Sequence, residues 1–180
     1  MALRNITIRG DEILTKKCKP IKAITPRIRE LAEDMVETML AADGVGIAAP
    51  QVGVMKRFFV AMPHVDSDNE EERNKIYYMI NPEITYTEGT QESGEGCLSV
   101  PGYMGLVDRP YKIRIKGTDL DGNENEYEFE GFAATVFCHE YDHLDGVLYP
   151  DVAKEFMTVE EYAERLDKLK EEHAGEETAE

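Results

Sequence analysis

An α+β fold is predicted for this chain because helical and antiparallel-strand patterns are mixed along it. Three segments carry that prediction. Residues after Thr25 repeat apolar side chains at helical spacing, Lys112 to Glu130 alternates around a turn, and Gly131 to Leu144 places its apolar and histidine positions at helical spacing. At 180 residues the chain has the length of one domain with its own core, so residues 1–180 are expected to form a single unit. Its 42% apolar and 32% charged content is that of a globular protein.

In chain order, Thr25-Pro26 offers an N-cap followed by proline at the first helical position. Ile28, Leu31, Ala32, Met35, Met39 and Leu40 then form one apolar face, and Asp43-Gly44 stops the helix and opens a glycine-rich loop. Phe58 to Met62 reads as a buried strand, and acidic Asp66 to Glu72 as a solvated surface loop. Ile76 to Tyr86 is β-rich and interrupted at Asn81-Pro82. Lys112 to Lys116 and Tyr127 to Glu130 alternate, with Asp121-Gly122 as the turn between them. Thr158 with Glu161 forms a capping box before a last helix carrying Val159, Tyr162, Ala163, Leu166 and Leu169 on one side. Residues 172–180 are expected to fray as an acidic tail.

Bulk properties exclude several classes. No apolar run approaches the roughly 18–20 residues needed to cross a bilayer. Met1 to Gly10 lacks the apolar stretch of a secretory signal. Cys18, Cys97 and Cys138 are too few and scattered for a disulfide framework, so a reducing, cytoplasmic setting is expected. A net charge of −17 argues against nucleic acid or an anionic membrane as a direct partner.

The chemistry concentrates in His139-Glu140-Tyr141-Asp142-His143. Residues four apart lie on one helical face, so both imidazoles can reach one metal ion. Glu140 sits beside that face, where a carboxylate can accept a proton from an activated water. A catalytic site needs a third protein ligand. Cys97, flanked by small residues in Glu95-Gly96-Cys97-Leu98-Ser99, is one candidate; a downstream carboxylate, Glu161 or Glu164, is the rival that a zincin-type metallopeptidase would use. Gly44-Val45-Gly46-Ile47-Ala48-Ala49-Pro50-Gln51-Val52-Gly53 is glycine-rich but lacks the lysine end of a phosphate loop.

Together these segments resemble the three signature motifs of the peptide deformylase family: a Gly-x-Gly-φ-Ala-Ala-x-Gln loop, a Glu-Gly-Cys-φ-Ser segment and a His-Glu-x-x-His helix. The resemblance extends from Ile8-Arg9-Gly10-Asp11 to Leu144-Asp145-Gly146-Val147-Leu148. It implies antiparallel sheets around the helix that bears the histidines, with an N-terminal and a C-terminal helix. It implies hydrolysis of the formyl group from formyl-methionyl nascent peptides, releasing formate. It further implies that Cys97, His139 and His143 hold one divalent metal ion, iron(II) in cells, with nickel, cobalt or zinc as substitutes. Glu140 would be the general base and acid. Gln51 and the Leu98 amide would stabilise the oxyanion, and the peptide backbone would pair near Val45, Gly46 and Ile47.

Other residues carry secondary readings. Phe132, Val136, His139 and His143 form one helical stripe, so Phe132 and Val136 either wall the methionine pocket or belong to the core. Glu95 and Arg109 read as a pair that holds the cysteine segment, or as a plain surface pair. Asp142 reads as a structural hydrogen-bonding group, and Cys138, about 100° from the ligand face, as packing. Met104 and Asp108 stand where many bacterial relatives carry Arg and Pro, which argues against a charged substrate contact from that loop. Residues 151–180 hold 11 acids and 4 bases, unlike the basic helix that docks some relatives on the ribosome; a transient ribosome contact would need another mode.

Overall fold

Four consecutive apolar residues, Phe58 to Ala61, are all buried, and their alternation explains the layering of the molecule. On strand β2 (Phe58–Ala61), Phe58 and Val60 pack with Leu31, Met35 and Met39, whereas Phe59 and Ala61 pack with Ala134, Phe137 and Cys138. Both faces of this strand are therefore covered by a helix, which is why the run is continuous in apolarity instead of alternating with polar residues. The computed structural model describes residues 2–177, with side chains described through residue 172.

The first helix, α1 (Pro26–Ala41), begins with Thr25 as N-cap and ends at Ala42 before Asp43, which adopts a left-handed φ of 53°. Leu31, Ala32, Met35 and Met39 are buried as expected, but Leu40 is 47% exposed and lies off the apolar face. Asp34 and Thr38 are buried instead, because they bond the N-terminal segment: Ala2 N and Arg4 Nε donate to Asp34, and Arg4 N to Thr38 Oγ1. After α1 come β1 (Gly46–Ala48) and a 3-10 turn at Ala49–Val52. The acidic surface segment is not wholly a loop. A short helix, α2 (Glu70–Arg73), forms where Asn69 accepts a bond from Glu71 N.

Strand β3 (Tyr77–Glu88) continues through Asn81-Pro82 as a bulge, with a register shift between Ile80 and Glu83. Proline has no N–H to give the ladder, and Asn81 takes φ 48°. The Asn81 amide compensates by accepting from Ile21 N and donating to Ile21 O, both at 2.8 Å. Strands β6 (Lys112–Thr118) and β7 (Glu124–Glu130) form the expected hairpin, and the antiparallel sheet runs β1-β2-β3-β6-β7.

Strands β4 (Gln91–Cys97) and β5 (Val100–Arg109) form a second, three-stranded antiparallel sheet with β8 (Glu155–Thr158), in the order β4-β5-β8. Helix α3 (Gly131–Leu144) packs against both sheets, and nine of its 14 residues are buried. Gly131 makes the turn out of β7 with φ +57°, a conformation that favours glycine. A short α4 (Tyr149–Val152) leads to β8, and α5 (Val159–Glu177) is the last helix. Its capping box forms: Thr158 N donates to Glu161 at 2.8 Å and Glu161 N to Thr158 Oγ1 at 3.2 Å. The helix reaches Glu177, into the segment expected to fray; the rest of that tail, 178–180, lies outside the described residues. Among the described residues no helix is long and apolar enough to cross a membrane.

Candidate metal centre and cleft

The two sheets and α3 meet at a cleft of about 360 Å³ lined from three separate parts of the chain: the glycine loop, the end of β4 and the first turns of α3. Cys97, His139 and His143 converge at its base, with candidate ligand atoms all within 4.8 Å of one another. Cys97 Sγ lies 3.4 Å from His143 Nε2. The thiol comes from the end of β4, and its ladder partner is Val100, so a tight hairpin presents it. The imidazoles come from successive turns of α3, as the four-residue spacing requires.

Hydrogen bonds fix which atoms remain available. His139 Nδ1 lies 2.8 Å from Glu95 Oε2, leaving Nε2 toward the cluster. Glu95 is only 4% exposed and is also held by Arg109, through Nε at 2.7 Å and Nη2 at 2.9 Å. Arg109 Nη1 donates to Asp142 at 2.6 Å. The pairing of Glu95 with Arg109 is thus buried rather than a plain surface pair, and it clamps β4, β5 and α3 together. Burial alone would raise the Glu95 pKa, but the bonds from Arg109 and His139 outweigh it and hold it at about 2.

The imidazoles respond to their surroundings in opposite directions. Burial disfavours charge on His139, yet its bonds to Cys97 and Glu95, with the nearby Glu140 charge, raise its pKa well above the ordinary value. Burial, reinforced by the His139 and Arg109 charges, lowers His143 well below it. A thiol and two imidazoles suit iron, cobalt, nickel or zinc rather than magnesium or calcium, so the residues fit a transition-metal ion.

Glu140 lies beside the cluster, 4% exposed, and its Oε2 has no hydrogen-bond partner among the described residues. Burial pushes its pKa up to about 7, with His139 opposing and Glu95 adding to the shift. Gly46 of β1 faces it so closely that an added Cβ would sit 2.8 Å from Glu140 Cγ. Gln51 is oriented at both ends of its amide: Oε1 accepts from Ala48 N at 2.8 Å, and Nε2 donates to Ser99 Oγ at 3.1 Å and toward Cys97 Sγ at 3.4 Å. Leu98 lines the same cleft.

Of the residues expected to meet substrate, Val45, Gly46, Phe132 and Val136 line the cleft. Val136 is also a core residue, so the two readings of the helical stripe are joined there, whereas Phe132 is 52% exposed at the rim. Ile47 is buried with the α1 core and contributes no side chain to the cleft. Cys138 packs in the core, and burial raises its pKa to about 12. Glu161 and Glu164 are exposed on α5, with Glu161 spent on the helix cap, and neither joins the ligand cluster. Ser99 and Tyr149 were not singled out from sequence. Tyr149 is 1% exposed and stacks on His139 with centroids 6.1 Å apart; no local motif marks it. Ser99 closes the Glu-Gly-Cys-φ-Ser segment, and that position was the available signal.

The family model for polypeptide deformylase matches residues 3–158. A peptide deformylase from Lachnoclostridium phytofermentans is 50% identical over 149 residues, 83% of this chain and 88% of its own. Among solved structures, a peptide deformylase from Thermotoga maritima superposes with a TM-score of 0.79 at 38% identity, covering 86% of this chain and 100% of its own. A class I type b peptide deformylase from Acinetobacter baumannii, bound to Met-Ala-Ser, gives a TM-score of 0.76 at 34% identity over 84% of this chain and 98% of its own.

Proposed function

This chain belongs to the polypeptide deformylase family, and from that premise we propose which residues carry its reaction. It is a metallohydrolase that removes the N-terminal formyl group from nascent peptides. The single observation that carries the residue assignment is the convergence of Cys97, His139 and His143 beside a buried, unpartnered Glu140 carboxylate.

Cys97, His139 and His143 hold one divalent ion, iron(II) in cells, for which nickel, cobalt or zinc substitutes. A metal ion held by these residues would supply a water-derived nucleophile near neutral pH and Lewis-acid polarisation of the formyl carbonyl. Glu140 accepts the proton of the attacking water and returns it to the leaving amine, so that formate and a free N-terminus result. The Gln51 amide, aimed by its bonds to Ala48 and Ser99, and the Leu98 N–H stabilise negative charge on the former carbonyl oxygen. Phe132 and Val136 wall the methionine side chain, and the peptide backbone runs beside Val45, Gly46 and Ile47. Three cysteines without disulfides fit a cytoplasmic setting.

Anaerobically prepared protein should release formate from formyl-Met-Ala-Ser and leave internal amide bonds of a casein substrate intact. Casein cleavage without formate release would reject the assignment.

A further inference from the structure

The last helix reaches the wall of the cleft at one point. Strand β4 has a strand neighbour on one side only, β5, and Gly94, Glu95, Gly96 and Cys97 of β4 line the cleft. Successive residues of a strand face opposite sides. Glu95 points inward to His139 and Arg109, whereas Gly94 and Gly96 leave the opposite face bare. Two side chains close over those bare positions. A Cβ added at Gly96 would lie 3.0 Å from Met104 Sδ, and one added at Gly94 would land on the Tyr162 hydroxyl.

Tyr162 is firmly placed. It stands in the first turn of α5, directly after the capping box of Thr158 and Glu161. Thr158 pairs with Tyr103 in the β5–β8 ladder, and Arg165 bonds Glu155 of β8 at 2.6 Å. The start of the helix is thus tied to the sheet that carries β4. Yet the hydroxyl of this half-buried side chain has no hydrogen-bond partner among the described residues. A phenolic O–H enclosed by protein usually finds one. Left open against a strand that lines the cleft, it is a donor held ready.

Distance along the strand says which part of a peptide that donor reaches. Gly94 precedes Cys97 by three residues, roughly 10 Å at the rise of a strand. An extended peptide has the same rise, so with its formyl group at the metal centre its third residue comes level with Gly94. We propose that Tyr162 positions the substrate by donating a hydrogen bond to the backbone carbonyl of that third residue. Helix α5 is then part of the peptide site and not only a cover for the sheet. The family match ends at residue 158, so Tyr162 lies beyond the segment on which membership rests. The inference rests on the deformylase reading, which sets where the peptide begins.

The test measures formate release by the metal-loaded protein from formyl-Met-Ala-amide and formyl-Met-Ala-Ser-amide, which differ by the third residue. Formyl-Met-Ala-propylamide is the comparison, since it reaches as far but lacks the third carbonyl. Tyr162→Phe keeps the ring and removes only the donor. It should raise KM for the Ser-containing peptide about three- to tenfold, the range of one neutral hydrogen bond, with kcat unchanged. For the other two substrates both constants should stay within about 1.5-fold of the parent. A loss shared by all three substrates would mark a structural role and overturn the proposal, as would a change in kcat alone or no change. If the parent released no formate from any of them, the deformylase reading would fail and this inference with it.

Discussion

Glu140 is held between two opposed requirements. Its burial favours the neutral acid, with a pKa near 7 in the absence of a metal ion, whereas proton acceptance needs the anion. A cation at the neighbouring cluster shifts the balance toward the anion. Glu140→Gln should keep metal content and lower turnover by a factor on the order of 10²–10⁴, read from formate release against metal analysis. A near-native rate would remove Glu140 from its role. Gly46 offers a second test of the same carboxylate. Its backbone needs no left-handed conformation, so the demand is for space: a Cβ there meets Glu140. Gly46→Ala should displace the carboxylate and lower kcat on the order of 10² with metal retained. Gly44→Ala, whose Cβ meets the flexible tip of Leu98 at 2.9 Å and Met39 O only at 3.4 Å, should cost much less. If the two alanine variants were equally active, the close approach at Gly46 would have no catalytic consequence.

At the scale of elements, the Glu95 carboxylate joins β4 to β5 through Arg109 and to α3 through His139. Its pKa is depressed in the folded protein to about 2, against 4.5 for the free group. The stability it contributes is therefore full above pH 4.5 and is lost as pH falls through about 2. Replacing it by glutamine should flatten the dependence of unfolding free energy on pH within that window, measured by urea titration at successive pH values. An unchanged slope would show that Glu95 is not the linked group. The same elements show what local sequence can and cannot reveal. Helix α3 was legible because its apolar and histidine residues share one period, and the β6–β7 hairpin because alternation flanks Asp-Gly. The β4–β5 sheet was not: Gln91–Cys97 is rich in polar residues and glycine, and β5 contains Pro101, Gly102 and Gly105. Its strands are defined by cross-strand pairing and by Tyr149, whose ring would clash with a Cβ at Gly105. The three motifs were legible for the complementary reason that each is contiguous. The contacts between motifs, such as Glu95 to His139 and Gly46 to Glu140, exist only once the sheets have met.

For the whole molecule, the proposed ligands bridge the three-stranded sheet and α3, so a bound ion stabilises their assembly. At a free metal concentration 100 times the dissociation constant, that linkage is worth about 2.7 kcal/mol. For a chain of this length, removing the ion should lower the melting temperature by roughly 5–11 °C. Calorimetry with and without chelator checks this, and Cys97→Ser should show little of the metal-dependent shift. A parent protein indifferent to chelation would argue that the cluster holds no ion. The N-terminal segment acts at the same scale. Thr7 N donates to Gln51 O at 2.7 Å and Arg9 N to Ser99 O at 2.8 Å, so one extended stretch latches the two loops that Gln51 Nε2 also connects. Anything that peels this latch away, such as a bulky fusion or a proteolytic nick before Gly10, would loosen both walls of the cleft together. For production of active protein, an affinity handle belongs beyond α5, where no cleft residue lies.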